Sequence, residues 1–251
     1  MRISKIALLV LLLLAGVLVI VDQYACGRFD APVEVFSAHF VVEAPSVPQA
    51  EEVQGELERN YDRIGFDLAA HPSSPIRVHV YGNRWAYARS TGHWTASGNV
   101  EGPELIHVLW VGSRTGQSAV HEFAHTVTLR LLIEHEPQPL DTAAFDRRFR
   151  AFPVWLWESV ACFEANQGMD PMSFPYMRDG MHPSLAELSR RSAGARVYDV
   201  GGSIVAFVRT RWGQDGLIRL ILGYGNTQKV LAVTEDEFTA LWSDYVRAKP
   251  Q

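Results

Sequence analysis

The chain has 251 residues, 47% of them hydrophobic, which suits one globular domain with room for a substantial core. Its 23 basic and 28 acidic residues leave a formal charge of -5 with no long run of either sign, which excludes the basic footprint of a nucleic-acid-binding protein. Two cysteines, Cys26 and Cys162, are too few for a disulfide framework, and Cys162 reads as a small buried residue in an apolar helical stretch.

At the N-terminus, Arg2 and Lys5 precede an uninterrupted apolar run over residues 6–21. This pattern predicts a segment that meets a membrane, either an anchor or a signal peptide within residues 1–28. Asp22, Gln23 and Tyr24 follow where a signal peptidase needs small side chains, which favours an uncleaved signal-anchor. The flanking positive charges then place residues 29–251 outside the cytoplasm, membrane-anchored or, after cleavage, secreted.

Residues 33–42 alternate as a strand, and Val53, Leu57, Tyr61, Ile64 and Leu68 recur at helical spacing. Ile76, Val78 and Val80 alternate with polar neighbours as a second strand, and residues 105–111 read as a third. Residues 82–102 between them are too long for a tight hairpin and read as a functional or cleft-covering loop. A helix capped by Thr115 runs to about residue 133, followed by a polar linker over 137–150 and a second helix over 153–165 with Pro153 in its first turn. A further helix follows Gly202 and ends near Trp212 and Gly213, and a last one spans 237–246. The order predicts an α+β fold, with a small mixed or antiparallel sheet preceding a helical half.

The chemistry concentrates in His121-Glu122-Phe123-Ala124-His125. Four residues apart on a helix, His121 and His125 lie on one face and can reach one ion. Glu122, turned about 100° from His121, suits a general base acting on a metal-activated water better than a ligand. Catalytic zinc takes three protein ligands, so a third donor is needed. Thr128 and Leu131 replace the Gly and His that a metzincin would carry, and Glu134, His135 and Glu136 read as a solvated helix end. The stronger candidate is Glu158, within Trp155-Leu156-Trp157-Glu158-Ser159-Val160-Ala161.

The two segments together resemble the gluzincin zinc metallopeptidases, in particular the aminopeptidase N-like and peptidase MA-like group, whose second helix reads Trp-Leu-x-Glu-Gly-x-Ala. The resemblance implies a zincin-like catalytic domain with one Zn²⁺ held by His121, His125 and Glu158, and Glu122 as the base in peptide-bond hydrolysis. Tyr198, in Tyr198-Asp199-Val200-Gly201, resembles the family's intermediate-stabilising tyrosine, and residues 105–110 correspond to the edge strand along which it binds peptide. Ser159 stands where the family has Gly, and the 33-residue separation of His125 from Glu158 exceeds the common spacing, as an insertion would produce. The expected partners are a peptide or protein substrate and the membrane. The competing expectation is a membrane-tethered, non-catalytic binding or scaffolding protein that retains the fold. His79, His93, His107 and His135 are expected to be ordinary surface or strand residues, and for Trp85, Trp94 and Trp110 core packing is expected over the alternative of lining a cleft.

Overall fold

In a computed structural model, residues 32–72, 75–190 and 196–248 are described, together with residues 13, 14, 16 and 17. The segment expected as one strand is two: Val33–Phe36 (β1) and Phe40–Ala44 (β2) pair antiparallel. Ser37 makes the turn, its backbone N–H and hydroxyl both donating to the Phe40 carbonyl. The first helix, Val47–Asp67 (α1), begins ahead of the expected start because Pro48 occupies its first turn, where a missing N–H costs nothing. Its Val53, Leu57, Tyr61 and Ile64 are buried at the expected spacing.

Ile76–Tyr81 (β3) and Leu105–Leu109 (β5) form where the alternation places them. The intervening loop is not structureless. It holds a helix, Arg84–Thr91 (α2), and a strand, Gly98–Glu101 (β4). The five strands run in the order β1-β2-β3-β5-β4, with β2, β3 and β5 parallel and the outer two antiparallel to their neighbours. The sheet is therefore mixed and the fold is α+β. Because β5 lies between β3 and β4, the expectation of an open edge at residues 105–110 is corrected: the edge strand is β4.

Thr115–Glu134 (α3) packs between α1, the sheet and the later helices. It is buried nearly all round from Ala119 to Leu129, as a central helix must be. Thr142–Phe149 (α4) occupies the expected polar linker, with Phe145 buried. Val154–Glu164 (α5) follows, and after a 3-10 turn at Pro171–Ser173 come Pro175–Arg178 (α6), Leu185–Leu188 (α7), Val197–Leu222 (α8), Thr227–Leu231 (α9) and Glu235–Ala248 (α10). The long α8 lies against α5, and α5 lies against α3. A Cβ on Gly201 would stand 2.9 Å from the Ser159 Cα, so these two helices touch backbone to backbone and position 159 admits only a small side chain.

The expected N-terminal membrane segment, and the extracytoplasmic placement that rested on it, are corrected. No helix among the described residues is long and apolar enough to cross a membrane. The apolar run itself covers residues 6–21. Most of that run, and Cys26, lie outside the described residues.

Candidate metal centre

Helical geometry divides α3 into two working faces. Phe123 points into the core, stacked on Tyr61 at 5.8 Å and edge-on to Phe40 at 5.3 Å. His121 and His125, each about 200° around the axis from Phe123, point the opposite way, towards α5. There Glu158 meets both: its Oε2 is 3.3 Å from His121 Nε2 and 3.8 Å from His125 Nε2. The three donor atoms lie within 4.8 Å of one another, both imidazoles are buried and the carboxylate is nearly so. Neighbouring donors around a tetrahedral ion with bonds of about 2.0–2.1 Å stand about 3.3 Å apart, so this group can hold a metal ion.

Glu122 faces a cleft of about 320 Å³ that is also lined by Thr95, Ser97, Gly98, Ser118, His121, Gln167 and Tyr198. The cleft runs beside the edge strand. A Cβ on Gly98 would lie 2.1 Å from Glu122 Oε1, so the absence of a side chain there gives the carboxylate its space. Burial pushes the Glu122 carboxyl up to about 7, with the His121 charge opposing and the Glu158 charge adding to the rise. Tyr198 sits in the first turn of α8, its ring 6.4 Å from that of His121, and burial together with the Glu158 charge raises its phenol.

The two imidazoles differ in state. Burial works against charge on His121, but contacts with Cys162 and Glu158 hold its pKa well above the ordinary imidazole value. Burial lowers His125 to about 4, leaving it neutral at pH 7, the form that ligates. Glu158, which burial alone would raise, is held far down by its hydrogen bond to His121 and by the neighbouring His125, and stays an anion.

Four supporting residues escaped the sequence reading. Trp157 stacks on His125 with ring centroids 4.1 Å apart and planes 4° from parallel. Phe149 and Phe152 brace that indole edge-on from α4 and the turn after it. Gln167 Oε1 lies 2.8 Å from His121 Nδ1. Of these, only Trp157, adjacent to Glu158 in the Trp-Leu-Trp-Glu segment, carried a sequence signal. Conversely, Trp85 and Trp94 are not core residues; they are exposed and meet each other edge-on at 5.3 Å. His107 is a buried strand residue bonded to the Tyr81 hydroxyl at 2.8 Å.

No protein-family profile matches the chain, and no curated protein matches it.

Proposed function

We propose that the chain is a gluzincin-type zinc hydrolase that cleaves peptide bonds, with His121, His125 and Glu158 holding Zn²⁺, Glu122 as general base and Tyr198 as a hydrogen-bond donor to the reacting carbonyl. The observation that carries this reading is the convergence of two histidines from α3 and a carboxylate from α5 beside a separate buried carboxylate, Glu122, that faces an open cleft. Two nitrogens and one oxygen are the donor set that zinc takes when a coordination position is left for chemistry. When bound, zinc supplies Lewis acidity, lowering the pKa of water towards about 7 and polarising a carbonyl.

The chain's own residues supply the rest. Glu122, near 7 and beside the ligands, takes a proton from the attacking water and passes it to the leaving amine. The half-exposed Tyr198 phenol, whose pKa is raised by partial desolvation and by the Glu158 charge, stays protonated and donates to the carbonyl oxygen as it gains negative charge. A peptide is favoured as substrate because β4 pairs only with β5 among the described strands, so its outer edge offers backbone groups to an extended chain beside Glu122.

Glu122→Gln is expected to retain zinc while losing hydrolysis by roughly 10²–10⁴-fold, and His121→Ala to lose the metal itself. Elemental analysis of the purified chain and digestion of a peptide library check both. Undiminished cleavage by Glu122→Gln would sink the mechanism, and full zinc content in His121→Ala would sink the ligand set.

A further inference from the structure

A neutral imidazole that binds a cation through Nε2 must carry its proton on Nδ1, and something must hold the ring at the correct angle. His125 and His121 meet this requirement differently. His125 Nδ1 is buried without a hydrogen-bond partner, and its ring is fixed by stacking on Trp157. His121 has a dedicated acceptor, the Gln167 side-chain oxygen at 2.8 Å. A carbonyl oxygen can only accept, so it keeps a proton on Nδ1, and the Nε2 proton that bonds Glu158 Oε2 in the metal-free site is the one a cation would displace.

Gln167 is itself held in place. It follows Asn166, a left-handed residue at φ 50°, and its backbone N–H closes the end of α5 by donating to the Cys162 carbonyl at 2.9 Å. Gln117, one turn before His121 on the same face of α3, donates its side-chain amide to the carbonyls of Ala165 at 3.2 Å and Asn166 at 3.1 Å. On the other side, α8 approaches so closely that a Cβ on Gly202 would stand 3.1 Å from the Gly168 Cα. The turn over residues 165–168 is thus clamped between the helix that carries His121 and the helix that carries Tyr198.

We propose that Gln167 and Gln117 form a two-residue strap that positions His121 for metal: Gln167 fixes the tautomer and ring angle directly, and Gln117 acts through it by pinning the turn. This rests on the metal reading of the site. The strap explains why two polar side chains far apart in sequence converge on one turn, and it assigns the 166–168 segment a role in ligation although it supplies no ligand.

The test is zinc affinity, measured by competition with a chromogenic chelator, for the wild type, Gln167→Ala, Gln167→Glu, Gln117→Ala and His121→Ala, with thermal unfolding of each metal-free protein alongside. Gln167→Ala is expected to bind zinc about 10–100-fold more weakly, with metal-free unfolding close to wild type. Gln167→Glu, which keeps an acceptor at the same atom, should restore affinity to at least the wild-type level, and Gln117→Ala should show a smaller loss in the same direction. Wild-type affinity in Gln167→Ala, with His121→Ala unable to bind, would overturn the strap and leave the metal site standing. Failure of Gln167→Glu to rescue would also overturn it. A wild type that binds no zinc would overturn the metal reading and the strap together.

Discussion

Gly98 shows how a residue without a side chain can decide the chemistry of one that has it. Glu122 Oε1 and Cγ occupy the space that a Cβ at 98 would need, at 2.1 and 2.7 Å. Gly98→Ala therefore displaces the carboxylate from its place beside the ligands. The expected result is a fall in peptide hydrolysis of about 100-fold, the loss that follows a misplacement of about 1 Å, with zinc content unchanged because no ligand is touched. Steady-state kinetics on the metal-loaded variant would refute this by returning the wild-type kcat/KM. The contrast with the ligands shows what sequence can carry at this scale. His121, Glu122 and His125 were legible because one helical turn fixes their relation, and Glu158 because it sits in its own local pattern. Gln167 meets His121 only because the chain returns 46 residues later, and nothing in its immediate neighbours announces that meeting.

Glycine also governs the reading of whole elements, in two opposite ways. Gly201 and Gly202 resembled a boundary before a helix, yet α8 begins at Val197 and runs through them, because their bare faces let α8 lie on α5 and on the turn at Gly168. Gly213 was read as an end, and it does interrupt: φ 72° and ψ -177° break α8 before it resumes. That backbone region is closed to residues with a Cβ, so Gly213→Ala should lower the unfolding free energy by about 1–3 kcal/mol. Urea titration measures it, zinc content should not change, and an unaltered midpoint would show that α8 can straighten at no cost. The elements missed altogether, α2, β4, α4, α6, α7 and α9, are short. The ends of α2 and α4 were nevertheless marked: Asn83 caps α2 by accepting from the Ala86 N–H, Gly92 closes it at φ 76°, and Asp141 caps α4 by accepting from the Ala144 N–H. Capping residues, not hydrophobic periodicity, were the signal for these two helices.

The packing of the molecule depends on a buried acid remote from the cleft. Glu164 on α5 accepts from Arg63 of α1 at 2.7 Å, Asp67 of α1 pairs with Arg209 of α8 at 3.0 Å, and the four side chains border a cavity of about 960 Å³. Glu164 Oε1 is buried with no partner. Burial, reinforced by the Asp67 charge and only partly offset by Arg63, pushes its carboxyl from 4.5 up to about 7. Below pH 4.5 the group is protonated in both the folded and the unfolded chain and contributes no pH dependence. Between 4.5 and 7 the folded state keeps a proton that the unfolded chain has lost, so stability falls as pH rises. Above 7 the full penalty, on the order of 3 kcal/mol, is present. Glu164→Gln removes the titration and keeps an oxygen that accepts from Arg63. Its unfolding free energy should therefore gain on the wild type steadily from pH 5 to pH 8, by most of that penalty, in paired denaturant titrations. Parallel pH profiles would mean that Arg63 already compensates the charge, and that the contact between α1 and α5 is held by an ion pair instead of by a carboxyl group burdened by its burial.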